Sequence, residues 1–103
     1  MKIAASNICW PADDFEGFLS VLEEEGAEGV ELAPSRIWTE PLDAKQAGVS
    51  RIVRMLERHG LECAGFHSLL YSRPDLCFFE GNGSMDRIFD YIIGLGKLCS
   101  ELG

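Results

Sequence analysis

The stretch Glu25-Gly26-Ala27-Glu28-Gly29-Val30-Glu31-Leu32-Ala33-Pro34 carries the reading of the fold. A glycine closes one segment, a short apolar run begins at Gly29, and a proline ends it. The same punctuation returns at His59-Gly60, after which Leu61 runs through Cys63 and Phe66 to His67, and its first half returns at Leu102-Gly103. Upstream, Ile3 to Ile8 forms a first apolar run. The chain thus reads as one unit used three times, over about 1–28, 29–60 and 61–103: strand, loop, amphipathic helix.

The helices announce themselves by period. Asp13 is a suitable N-cap, with Glu16 as its capping-box partner, and Phe15, Phe18, Leu19 and Leu22 follow at the spacing of one helical face. Asp43 opens a second helix with the stripe Val49, Ile52, Val53 and Leu56, closed by Gly60. Ser84 caps a third, which buries Ile88, Tyr91, Ile92, Leu95, Cys99 and Leu102. Strands alternating with such helices imply right-handed crossovers and a parallel sheet, hence an α/β fold.

With Val30 and Leu32 against the helices, alternation turns Glu31 and Ala33 to the other face of the sheet. With Ala64 and Phe66 against the helices, it turns Cys63, Gly65 and His67 there too. Small and polar residues on that face suit the interior of a barrel near its mouth. Because a strand follows each earlier helix-ending glycine, a fourth strand is due after Gly103.

Composition sets the outer limits. The 103 residues include 17 Asp plus Glu against 9 Lys plus Arg, for a formal charge of -8, with 47% hydrophobic residues. One domain is the most this length holds. The acidic balance disfavours nucleic acid as a partner, since phosphate backbones are held by clustered Lys and Arg. Tyr91 to Leu95 is the longest nearly uninterrupted apolar stretch, far short of the ~20 residues that cross a bilayer, and no signal-peptide hydrophobic region develops after Lys2. The expectation is no membrane and a cytoplasmic location. Cys9, Cys63, Cys77 and Cys99 contain no C-x-x-C pair and read as reduced, mostly buried thiols.

Three segments resemble the xylose-isomerase-like TIM barrel superfamily, in its sugar phosphate isomerase and epimerase branch. They are Ser6-Asn7-Ile8-Cys9-Trp10-Pro11, Gly29-Val30-Glu31-Leu32-Ala33-Pro34-Ser35-Arg36-Ile37-Trp38, and Gly65-Phe66-His67-Ser68-Leu69-Leu70-Tyr71 continuing through Arg73-Pro74-Asp75-Leu76. The resemblance covers nearly all of the chain but only three of the eight βα units of a (β/α)8 barrel, which takes about 250 residues. It implies a partial TIM barrel with a short parallel sheet. It also implies carbohydrate metabolism: proton transfer next to the carbonyl of a small sugar or sugar phosphate, at the C-terminal mouth of the strands. A divalent metal (Mn, Mg, Co or Zn) serves in many members, and their main metal ligands and bases lie on later strands.

Carried over residue by residue, His67 matches a strand-three histidine that ligates metal in the endonuclease IV type or lines the pocket in sugar-binding relatives. Glu31 matches the strand-two acid, usually inside the barrel. Asn7, Trp10, Arg36 and Trp38 stand in the first two loops, as candidates for substrate contact. Each has a plainer reading: His67 as a hydrogen-bonded structural residue, Glu31 as a buried, bonded acid, Trp10 and Trp38 as packing aromatics, Arg36 in a surface salt bridge. Gly81-Asn82-Gly83-Ser84 reads as a phosphate nest or a capped turn. Arg51, Arg54 and Arg58 form a basic stripe opposite the apolar one, and His59 complements the end of the second helix.

Two functions are carried forward. One is a sugar phosphate isomerase or epimerase, with this chain as its N-terminal part. The other is a non-catalytic βα fragment that assembles with itself, as a homo-oligomer, or with the rest of a barrel. An endonuclease IV-like nuclease stands third, against the charge.

Overall fold

A computed structural model describes residues 2–76 and 84–103, the side chain of Ser84 excepted. Cys77, Phe78, Phe79 and the Gly81-Asn82-Gly83 turn lie outside the described residues, as does the capping role read for Ser84. The elements are β1 (Ala4–Ser6), α1 (Phe15–Glu24), β2 (Gly29–Leu32), α2 (Gln46–Arg58), β3 (Glu62–Phe66) and α3 (Ser84–Glu101). Among the described residues the three strands form one parallel sheet in the order β1-β2-β3. The protein is a small α/β domain with three α-helices among the described residues.

The helical stripes bury at most of their positions, with Phe15, Val53, Ile92 and Cys99 only half-buried. Phe18, Leu19 and Leu22 of α1, Val49, Ile52 and Leu56 of α2, and Leu102 just after α3 join Val30 and Leu32 in one core cluster. Met55 and Leu98 belong to it as well, widening two stripes that periodicity had drawn narrower. A second cluster, Leu76, Ile88, Tyr91 and Leu95, packs with Phe66, Leu69 and Leu70 under the start of α3. Gly26 and Gly60 end α1 and α2 at φ 78° and 65°, backbone angles that favour glycine.

Helix starts differ from the expected ones. Asp14, not Asp13, precedes α1, and its carboxylate makes no capping bond, because Oδ2 accepts the indole N–H of Trp10 at 3.0 Å. Asp43 lies in a separate 3-10 turn, Pro41–Asp43, and α2 begins at Gln46 after Lys45. A proline-led turn cannot run on into that helix, since Ala44 and Lys45 are extended (ψ 125° and 152°).

The sheet has two unlike faces. Toward the helices point Val30 and Leu32, both fully buried, with Ala5, Cys63 and Phe66. The other, open face carries Ala4, Glu31 and Ala64, all exposed. Here the structure corrects strict alternation in β3. Val30 pairs with Cys63 but Glu31 pairs with Gly65, so Ala64 is an extra residue, a β-bulge. The bulge lets Cys63 and Phe66 both face the helices and puts Ala64 on the open face, the reverse of the expected placement of Cys63 and Ala64. Gly65 takes up the extra length at φ 155°, a conformation reserved for glycine. Ala33 is 1% exposed, and its N–H donates to Asn7 Oδ1 in the loop after β1.

Among the described residues no helix is long and apolar enough to cross a membrane. The cysteines are less buried than expected: Cys9 is exposed, and Cys63 and Cys99 are half-buried.

Candidate functional site

At the C-terminal ends of the strands, Ser6 ends β1, Glu31 sits on β2 and His67 follows β3. Ser6 and Glu31 are register partners, so their side chains leave the sheet on the same face. The His67 backbone is held in line by its N–H to Leu32 O at 3.0 Å. Its ring reaches across β2: Nε2 lies 2.5 Å from Ser6 Oγ, and Nδ1 lies 3.1 Å from Ser68 Oγ. Ser68 holds that position at φ 53°, left-handed for a residue that is not glycine, at a cost on the order of 1 kcal/mol.

The proton positions at this bridge are set by the His67 tautomer. Ser6 Oγ accepts the Ile8 N–H at 3.1 Å, capping the turn Asn7–Cys9. In the tautomer protonated at Nδ1, the Ser6 O–H donates to His67 Nε2 and Nδ1–H donates to Ser68 Oγ; in the other tautomer both bonds run the opposite way. His67 is thereby a hydrogen-bonded histidine whose ring is fixed at the mouth of the sheet.

The other candidates divide sharply. Glu31 is exposed and, among the described residues, has no ion pair or side-chain hydrogen bond, which corrects its reading as a buried, bonded acid. Asn7 is 5% exposed, and its Oδ1 accepts the Ala33 N–H at 2.8 Å, tying the first loop to the second. Arg36 makes no salt bridge among the described residues. Its Nη2 donates to Trp10 O at 2.6 Å, and its Nε is buried without a partner. Trp10 packs on Phe18, ring centroids 6.0 Å apart, and Trp38 packs against the core beside Gly48. Asn7, Trp10, Arg36 and Trp38 therefore brace the loops, while His67, Ser6 and Glu31 stand on the open face.

Ser6 and Ser68 were missing from the sequence-based candidates. Their signal was present, since each stands in a segment that carried the resemblance. The contact that matters joins residues 61 apart, and no local pattern encodes it.

Further down the same face, Ile3, Ala4, Gly29 and Ala64 line an open hollow of about 260 Å³ rimmed by Lys2, Glu28 and Glu62. A larger surface hollow of about 550 Å³ lies between Glu16 and the basic stripe of α2, away from the strand ends. Arg58 there pairs with Glu16 at 3.1 Å. His59, more than a dipole complement, binds Glu23 Oε2 through Nδ1 at 2.7 Å and ties α2 to α1.

Among the described residues Cys63, Arg73 and Asp75 are shifted from their ordinary acidity, Arg73 upward by its hydrogen bond to Asp75. Burial, with Cys99 nearby, pushes the Cys63 thiol up to about 11, so it is a poor nucleophile. Hydrogen bonding from Arg73 pulls Asp75 down to about 2. Arg87 also binds Asp75, at 2.7 Å, while the Arg73 guanidinium lies 4.9 Å from the centre of the Tyr91 ring. This cluster braces the segment after β3 against α3.

A divalent metal does not fit the described donors. Among the described residues no three His, Cys, Asp or Glu side chains converge, and both nitrogens of His67 are engaged by serine hydroxyls. In comparisons with known proteins, no family model, no curated protein and no solved structure matches the chain.

Proposed function

We propose that this chain supplies three βα units to a sugar or sugar phosphate isomerase or epimerase of the xylose-isomerase-like barrel type. The observation that supports this reading most is the Ser6–His67 bridge over β2, at the C-terminal end of a one-sided parallel sheet, with Glu31 on the same face. Sequential strands with helices on one side only are what consecutive units of a barrel require. A sugar lying over this face finds hydroxyl, imidazole and carboxylate groups that can hold its oxygens. His67 and Ser6 polarise the carbonyl oxygen, Glu31 accepts a hydrogen bond from a sugar hydroxyl, and the base that removes the carbon-bound proton comes from outside these three units. No step is routed through a metal.

The test is an NMR titration of the chain with a panel of ketoses and ketose phosphates. Shifts at Ser6, Glu31 and the His67 ring that vanish in His67→Ala are expected, and their absence with every sugar overturns the reading. In D₂O, with or without Mn²⁺, the chain alone is expected to leave the proton beside the carbonyl unexchanged. Exchange would overturn the assignment of the base to a part outside the chain.

A second reading is self-assembly through the same face. It is favoured by a sheet whose open side is left uncovered among the described residues, and such edges and faces pair readily. On this second reading, light scattering on the purified chain gives a dimer or larger species. A compact monomer at high concentration would end that reading.

A further inference from the structure

Beyond the sugar reading, and independently of it, we infer that Ser6 is an activated nucleophile, with His67 as its base and Ser68 as the residue that positions the imidazole. The substrate class is a small ester with a short, uncharged acyl chain.

A serine hydroxyl is a weak nucleophile until a neighbouring base takes its proton, and the required geometry is an Oγ–N distance of about 2.6–3.2 Å with the base oriented by a third group. Ser6 Oγ is 2.5 Å from Nε2, just under that range, and Nδ1 is held by Ser68 Oγ at 3.1 Å. The Ile8 N–H occupies one lone pair of Oγ, and in the tautomer protonated at Nδ1, the one a general base requires, the Ser6 hydroxyl donates to Nε2. Donor, base and orienting group thus come from β1, from the residue after β3, and from the next residue in line. Ser6, His67 and Ser68 are all partly exposed, so an electrophile reaches them from the open face.

The acyl preference follows from what lies along the strand. Ala4 is two residues before Ser6, on the same face and roughly 7 Å away, and with Ile3, Gly29 and Ala64 it lines the 260 Å³ hollow. Gly29 leaves the floor open: a Cβ there would lie 3.2 Å from Glu62 O. A few methylenes fit; at the rim Lys2 lies 4.0 Å from Glu62, which leaves the carboxylates of Glu28 and the neighbouring Glu31 to repel an anionic acyl group.

In the reaction, Ser6 Oγ bonds to the acyl carbon while its proton passes to Nε2. The carbon–oxygen bond to the alcohol breaks, and the departing alkoxide takes the proton from the imidazolium. Water then attacks the acyl-serine, His67 again holding and returning one proton, which releases the acid and restores Ser6.

The experiment uses a fluorophosphonate, which forms an Oγ–P bond as fluoride leaves, followed by intact mass and peptide sequencing of the full chain. One adduct, on Ser6, is expected, with the rate reduced about 10²–10⁴-fold in His67→Gln, whose amide still bonds Ser6 but takes no proton. Ser68→Ala is expected to slow labelling and to move the Nδ1–H resonance of His67. p-Nitrophenyl butyrate is expected to compete with the label, and a succinyl ester is not. No adduct on the wild-type chain, an adduct on another residue, or an unchanged rate in a folded His67→Gln overturns the inference. Since neither labelling nor competition involves a sugar, failure here leaves the ketose titration to stand or fall by itself.

Discussion

The two faces of the same three-stranded sheet differ more than any other two regions of this protein. On the helix side, Val30 and Leu32 are fully buried within a cluster that all three helices share. On the open side, their neighbour Glu31 is exposed beside Ser6, at the end of the strands that carries the Ser6–His67 bridge, with the alanine-lined hollow at the other end. One face is organised by removal of apolar area from water and the other by hydrogen-bond geometry. Stability therefore resides on the first, and chemistry is free to reside on the second, where a side chain can change without opening a cavity.

The contrast breaks most visibly if a core residue and its neighbour are truncated in parallel. Leu32→Ala is expected to lose roughly 2–5 kcal/mol of unfolding free energy in urea titrations, whereas Glu31→Ala stays within about 0.5 kcal/mol. Similar losses from the two would mean that the open face is covered in solution, as the assembly reading requires. Asn7→Ala probes the seam where the first loop crosses to the second. Removing Oδ1 strands the buried Ala33 N–H, and a loss of about 1–3 kcal/mol is expected by the same measurement.

The smallest effect separates Cys63, which faces the helices, from exposed Cys9. The folded state keeps the Cys63 proton up to about 11 while an unfolded thiol releases it near the ordinary value of 9.0. The unfolded chain then binds fewer protons, so stability falls as pH rises from 9.0 toward 11 and is unaffected by this thiol below that window. Urea midpoints on either side of pH 9.0, compared with those of Cys63→Ala, measure it. At neutral pH an aromatic disulfide reagent is expected to modify Cys9 before Cys63.

Much of this architecture was legible in residue order. Phe18, Leu19 and Leu22, or Val49, Ile52 and Leu56, bury because a 3.6-residue period puts them on one side of a helix whatever that helix meets. Helix starts were less legible. Asp13 and Asp43 have suitable cap chemistry, but Trp10 claims the carboxylate of Asp14, and a proline turn separates Asp43 from α2. The loop candidates Arg36 and Asn7 carried the right polar groups for a ligand, yet each spends them on a neighbouring loop, on Trp10 O and on the Ala33 N–H.

By itself, then, the sequence determined three strands, three amphipathic helices and the glycines that stop two of them, because these depend on spacing within a few residues. The tertiary structure alone decided two things. It placed the bulge at Ala64 that turns Cys63 inward, since register is a property of paired strands. It also brought Ser6 to His67, since only folding β1 and β3 onto either side of β2 closes a separation of 61 residues to 2.5 Å.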